Sequence, residues 1–254
     1  MELSIVLPCF NEEGNIAQTV GAVHAWMRER KIGGEIIVVD DGSRDKTGVI
    51  LEKMQNGSSP QPSPDGRGGQ SIPLRLITHL RNLGYGAAVR SGCDAATMDI
   101  IAFMDSDGQF DPKDFDLLLP HLRGGPSPLP SPSGRGGYDV VVGRRRRRAD
   151  PFLRKLNAKL FGVLAWAMLG IWVRDMNCAM KVFRRSGWQR ARPTVTTGAL
   201  FNADFFYNLQ RAGIRWRQVD VSHYPRRSGK QTGANPRVIL QMFRELWQLR
   251  RRHR

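Results

Sequence analysis

Short apolar runs of strand length recur through the first part of the chain, at Leu3–Leu7, Glu35–Val39, Leu74–Thr78 and Ile100–Met104. Between them lie stretches of helical character at about 11–31, 44–55 and 84–97. Runs this short and rich in β-branched residues read as strands, and their alternation with helices predicts an α/β fold. The expected architecture is a mostly parallel central sheet with right-handed crossovers, flanked by helices. Tyr138–Val142 predicts a fifth strand. Beyond it the pattern predicts a helix over 151–172, a strand near 179–183, a helix near 199–212 and a strand near 214–221. A final helix is expected from Asn235-Pro236, an N-cap followed by proline at the first helical position.

Two segments interrupt the pattern. Residues 62–69 (PSPDGRGG) and 130–137 (PSPSGRGG) differ only at Asp65 against Ser133. Such composition buries no apolar surface, so both read as surface loops without a role in the chemistry. Each precedes a strand, which in a parallel sheet puts it at the edge away from bound ligands. Leu160–Val173 is too short for the ~20 apolar residues of a membrane span. It reads as a buried helix, with Lys155, Lys159, Arg174, Trp166 and Trp172 leaving an interfacial seat as the alternative.

Charge sharpens the division. The 254 residues carry a formal +16, but residues 1–137 hold 13 Lys+Arg against 17 Asp+Glu, and residues 138–254 hold 26 against 6. A second half this basic suits a polyanion: nucleic acid, an anionic membrane face or a phosphorylated substrate. Nothing resembles a nucleic-acid reading module, and no nucleic-acid partner is expected. Cys9, Cys93 and Cys178 are odd in number and set in apolar contexts, as reduced core residues are.

The chemistry gathers where strands end. The first runs into Pro8-Cys9-Phe10-Asn11-Glu12-Glu13 and the second into Val39-Asp40-Asp41-Gly42-Ser43. Polar residues past the carboxyl ends of parallel strands line the crevice where nucleotides bind. Asp40 and Asp41 are equally suited to capping the next helix, with Asp45 in its first turn. The fourth strand ends in Asp105-Ser106-Asp107-Gly108-Gln109. Carboxylates one residue apart on an extended chain point to the same side, and with substrate phosphates they can hold a hard divalent cation.

The stretches SIVLPCFNEE, VVDDGSRDKT, RNLGYGAAVRSG, DSDGQFDP and VVGRR together resemble the family 2 glycosyltransferases with the GT-A fold. Within that family the likeness is greatest to dolichol- or polyprenol-phosphate mannosyl- and glucosyltransferases, over about residues 3–230. The resemblance implies a GT-A nucleotide-sugar-binding domain over 1–230, with loops at about 56–73 and 124–137. A basic amphipathic helix over 231–254 would follow. Pro8, Phe10, Glu12, Val39 and Asp41 would contact the nucleotide-sugar donor. Asp105 and Asp107 would hold Mg²⁺ or Mn²⁺, with Gln109 beside them. Arg144 and Arg226 match phosphate-binding arginines, Arg154 matches a second acceptor-phosphate position, and Arg145–Arg148 would be surface charge. Asp175–Lys181 matches a D-x-x-x-G-F-K/R element with Ala179 in place of the glycine, and Gln231 replaces a usual serine. Asp204 falls where a glutamate is common and is the one carboxylate of the second half suited to act as a base.

The implied reaction is inverting transfer of a hexose from a UDP- or GDP-sugar to a polyprenyl phosphate. The alternatives are a saccharide or protein hydroxyl acceptor, or a non-catalytic basic binding protein on the same scaffold. The chain is expected to be cytoplasmic and peripheral to a membrane. The final helix, with Val238, Ile239, Met242, Phe243, Leu246 and Trp247 on one face, would either dock on the core or seat on an anionic surface, and a membrane-protein partner is the other route to attachment.

Overall fold

The N-terminal strand β1 (Glu2–Cys9) is buried over almost its whole length, as a run apolar on both faces requires. Leu3, Ile5, Leu7 and Cys9 enter one core cluster and Val6 the other. β2 (Gly33–Asp40), β3 (Leu74–Thr78) and β4 (Ile100–Phe103) pair in parallel in the order β3-β2-β1-β4. Helices α1 (Ile16–Glu29), α2 (Thr47–Gly57) and α3 (Tyr85–Ala95) make the crossovers. On one side of the sheet α1 buries Ile16, Val20, Val23, Trp26 and Met27. On the other, α3 lies so close that a Cβ on Gly92 would come within 2.3 Å of Val6 Cγ1. The chain thus runs outward from β1 to β3, then returns across β1 to β4, and this reversal opens a crevice at the carboxyl edge.

This computed structural model describes residues 1–57, 72–122, 137–145, 162–163, 166–194, 198, 200–226, 247–248 and 250–251. Three further strands complete a seven-stranded sheet of order β3-β2-β1-β4-β6-β5-β7. The predicted fifth strand is β5 (Val140–Arg145), and Tyr138 makes only an isolated bridge to Leu122. β6 (Lys181–Arg184) runs antiparallel to both β4 and β5, whereas β7 (Trp216–Val221) is parallel to β5. The sheet is therefore mostly parallel, as expected, with one reversed strand, β6, between β4 and β5.

Some helices escaped the pattern. A run of 3₁₀ turns and the short α4 (Phe115–Leu118) spans Pro112–His121. Its core is held where the buried Trp26 donates its indole N–H to Asp116 Oδ1 at 3.1 Å. α5 (Arg185–Ala191) follows β6, and α6 (Phe201–Arg211) stands near its predicted place. Residues 166–169 are helical, but Val163, Trp166 and Trp172 are 45, 55 and 63 % exposed. That corrects the reading of 160–173 as a buried helix for the described residues: Ile171 and Val173 lie in the core, Met168 and Leu169 pack partly against it, and the rest of those described face outward. All three cysteines are buried and free. Among the described residues no helix is long and apolar enough to cross a membrane. The PSPxGRGG segments, up to residue 136, and the predicted last helix over 235–246 lie outside the described residues.

Candidate active site

The loops after β1 and β2 are laced together. Asn11 N–H donates to Ser43 Oγ (2.9 Å), Arg44 N–H to Asn11 Oδ1 (2.8 Å), Glu12 N–H to Thr47 Oγ1 (2.8 Å) and Lys46 N–H to Glu13 Oε2 (2.9 Å). Much of the polar density in both motifs serves this lacing. Asp45, not Asp41, caps α2, accepting from Thr47 N–H at 3.0 Å. Asp40 closes its own turn by accepting from Ser43 N–H at 2.9 Å.

Asp41 reaches elsewhere. Its carboxylate accepts from Leu83 N–H (2.9 Å) and Gly84 N–H (2.8 Å) at the start of α3, and meets His79 Nδ1 at 2.7 Å. His79 Nε2 lies 2.9 Å from Ser91 Oγ on α3. Gly42, at φ +71°, packs so tightly on this loop that a Cβ would meet the Arg81 backbone at 2.6 Å. Asp40, Gly42, Ser43, Arg44 and the segment Thr78–Asn82 line a cavity of about 380 Å³ at the carboxyl ends of β2 and β3. Asp41 thus shapes the wall of this cavity by holding the 79–84 loop. Neither His79 nor the loop's dependence on Asp41 was signalled by the motifs.

The Asp105-Ser106-Asp107 turn stands at the crevice beside β1. Ser106 points inward, donating to Pro8 C=O at 2.7 Å while its own carbonyl accepts from Thr19 Oγ1 at 3.1 Å. That anchor fixes the turn that carries Asp105 and Asp107, close enough for the charge of Asp107 to act on Asp105. Burial, then the charge of Asp107, push the Asp105 carboxyl up to about 7. The buried Tyr85 hydroxyl lies beside it without a hydrogen bond of ordinary geometry, and burial pushes that phenol up as well. Two carboxylates this close, one of them raised by the charge of the other, fit a divalent cation. Among the described residues no group of three or more His, Cys, Asp or Glu is arranged to hold a metal. The pair therefore offers part of a coordination shell, which the oxygens of a bound phosphate would complete.

Positive charge arrives from the far end of the sheet. Ser222 N–H donates to Asp114 Oδ2 (2.6 Å), Tyr224 N–H to Gln109 C=O (2.9 Å) and Gln109 Nε2 to Tyr224 C=O (3.1 Å). These contacts bring Arg226 to Glu12 and, at 3.4 Å, to Asp107 Oδ2. Glu12 also accepts from Asn15 Nδ2 at 2.7 Å. Burial raises its carboxyl despite those two partners. Gln109 is buried with its amide nitrogen committed to Tyr224, so only its Oε1 could face a cation.

Of the expected nucleotide contacts, Phe10 is 37 % exposed at the rim, whereas Pro8 and Val39 lie buried in their strands. Arg144 pairs with Asp220 at 2.5 Å, its register partner on β7. Arg145 is not the surface residue expected: β5 extends to it, and it is buried against Asp175 through contacts of 2.7 and 2.8 Å. Arg154 and the residues after Arg226 in the R-x-x-G element lie outside the described residues. Ala179 is buried without a left-handed backbone, so this turn has no need of the glycine.

Lys181 is fully buried, and burial pushes its amine down to about 8. It donates to Cys178 C=O (2.5 Å) and Asn202 Oδ1 (2.8 Å), and its Nζ stands 4.9 Å from the Phe103 ring centroid. With Arg145 it opposes the negative charge on Asp105. Asp204 is buried too, but accepts from Thr194 N–H (3.2 Å) and Asn208 Nδ2 (3.1 Å). Two helical positions apart is about 200° of rotation, so Asp204 faces away from the side on which Asn202 meets Lys181.

A family model described as glycosyl transferase family 2 matches residues 4–190. The dodecaprenyl-phosphate galacturonate synthase of Rhizobium johnstonii is 34% identical over 187 residues, covering 73% of this chain and 48% of that protein. The undecaprenyl-phosphate 4-deoxy-4-formamido-L-arabinose transferase of Pseudomonas fluorescens is 27% identical over 184 residues, covering 72% and 47%. The chain thus spans about half the length of these curated relatives. Among solved structures, glucosyl-3-phosphoglycerate synthase from Mycobacterium tuberculosis, in complex with Mn²⁺, UDP-glucose and phosphoglyceric acid, superposes with a TM-score of 0.66. It is 19% identical, with 98% of this chain and 79% of that chain covered, and at this identity the likeness speaks for the fold alone.

Proposed function

The chain belongs to glycosyl transferase family 2 and has the GT-A fold, and from that premise we propose that it transfers a hexose from a UDP- or GDP-sugar to a polyprenyl phosphate. The donor lies across the carboxyl edge of β1, β2 and β4. Its base sits towards the cavity between Asp40 and Asn82, and its diphosphate by Asp105 and Asp107. Asp105 and Asp107 would hold Mg²⁺ or Mn²⁺, which would supply positive charge to the departing diphosphate. An acceptor phosphate oxygen forms the new bond to the anomeric carbon as the bond to the diphosphate breaks, with inversion. Arg226 and Arg144 supply charge-assisted contacts to phosphate.

One observation carries the acceptor. A hydroxyl must lose a proton as it attacks, and the base has to stand within hydrogen-bond reach. Asp204, the carboxylate of the basic half suited to that task, is spent on Thr194 and Asn208 and faces away from Lys181 and its neighbour Asp105. A phosphate monoester is already ionised at neutral pH and needs cations rather than a base. The names of the relatives, both built on polyprenyl phosphates, support the same acceptor. The test is a panel of UDP- and GDP-sugars offered with undecaprenyl phosphate and Mg²⁺ or Mn²⁺, with lipid products read by mass spectrometry. A glycosylated polyprenyl phosphate is expected. Transfer to a free hydroxyl alone, or no lipid product with any donor, overturns the reading.

A further inference from the structure

Arg226 follows β7 in the chain yet touches residues from both other ends of the site. Its guanidinium bridges Glu12, in the loop after β1, and Asp107, in the turn after β4. The three side chains are only 17, 9 and 13 % exposed. The arm that delivers Arg226 is pinned at Ser222 and Tyr224, so the bridge is built into the fold. Without a counter-charge, Glu12 and Asp107 would be like charges confined in a partly dry crevice, which is costly.

The oxygen of Asp107 that Arg226 approaches is one of the few donors the carboxylate pair has for a cation. A guanidinium and a divalent ion cannot share it, since their charges repel across a short distance in a medium less polar than water. We propose that Arg226 holds the metal's place on Asp107 in the ligand-free protein, and that Glu12 retains it while it turns to the phosphates once cation and nucleoside diphosphate arrive together. The inference rests on Asp105 and Asp107 being the metal pair. A cation arriving alone must evict Arg226 with no anion to receive it. A diphosphate arriving alone faces the bare charge of Asp107 as soon as it draws Arg226 away. Each ligand removes part of the other's cost, so the two bind cooperatively, and the coupling is the same from either side.

The test measures Mn²⁺ affinity by water-proton relaxation, without nucleotide and then with UDP or GDP, on the intact chain. Arg226→Lys keeps the charge but lacks the planar fork that bridges two carboxylates. Arg226→Gln removes both. Nucleotide-free Mn²⁺ binding is expected to tighten several-fold in Arg226→Lys and about tenfold or more in Arg226→Gln, within the usual range of coupling between sites. The enhancement of Mn²⁺ affinity by nucleotide should shrink by the same factors. A gain in Arg226→Gln alone would mean plain charge repulsion and overturn the bridge, as would equal affinities in all three proteins. Absence of Mn²⁺ binding in every form would instead remove the metal reading itself. Thermal melting checks that each variant folds, and Arg226→Lys decides the question if Arg226→Gln does not. Asp107→Asn should abolish the gain in either background.

Discussion

At the amino edge of the sheet, Glu35 accepts from Ser4 Oγ (2.7 Å), Thr97 N–H (2.7 Å), Thr97 Oγ1 (2.6 Å) and Arg75 Nη1 (2.5 Å). At the carboxyl edge, Asp105 has Asp107 for a neighbour and an under-bonded tyrosine against it. Burial raises both carboxyls, but at Glu35 the hydrogen bonds from Thr97, Arg75 and Ser4 outweigh it and hold the group below its ordinary value. At Asp105 nothing outweighs it. A carboxylate whose acceptors are saturated by its own chain works for the fold. One left short of donors and positive charge is kept for a ligand.

The strongest way to break this contrast is at Asp107. Asp107→Asn should lower sugar transfer by roughly a thousandfold, the scale of a lost metal-ligand charge, with the melting temperature held. Turnover unchanged at limiting Mg²⁺ would dissolve the distinction. Glu35→Ala is the converse. It strands the buried Ser4 hydroxyl and should cost about 2 kcal/mol in urea denaturation, with kcat/KM of the folded protein intact.

The two edges should also respond to pH with opposite sign. Between 3.8 and about 7 the native chain keeps a proton on Asp105 that the unfolded chain has lost, so stability falls as pH rises through that window. Glu35 contributes stability above its ordinary value that is lost as pH falls through its depressed one. Melting curves of Asp105→Asn should therefore lose the decline towards pH 7, and those of Glu35→Gln should start lower at neutral pH and lose the fall towards acid. Stabilisation by Mn²⁺ should grow from pH 6 to 8, because a proton must leave Asp105 first. The smallest effect belongs to Asp204→Asn, where transfer should fall far less than the ~100-fold or more that loss of a general base brings. Loss of the acid-side limb of its pH–rate profile would reinstate Asp204 as a base.

The first four strands were legible because each is a short run rich in β-branched and apolar residues bounded by helical periods. The carboxylate turns were legible because they end those strands. β6 was readable as a strand but not as a reversed one, since four residues carry no record of direction. The 112–121 turns were hidden by Pro112 and Pro120, which read as loop while serving 3₁₀ geometry. Residue parity on β5 was beyond the motif: Arg144 and Arg145 look alike in sequence, yet Asp220 takes one and Asp175 the other. The lacing of Asn11–Glu13 to Ser43–Thr47, the turning of Asp41 to the 79–84 loop and the bridge from Arg226 depend on residues 30 or more apart, where local pattern carries no signal.

The reversed strand has a consequence for synthesis on the ribosome. Among the described residues β5 pairs with β6 and β7, and β6 is what joins it to β4. Until residues 181–184 emerge, a nascent chain carries Ile100–Phe103 as an open edge and Val140–Arg145 as a strand with nowhere to dock. Unpaired apolar edges recruit other chains. The interval between translating β4 and β6 is therefore the stretch in which this protein most needs a chaperone, and slower codons placed within it should lower the soluble yield.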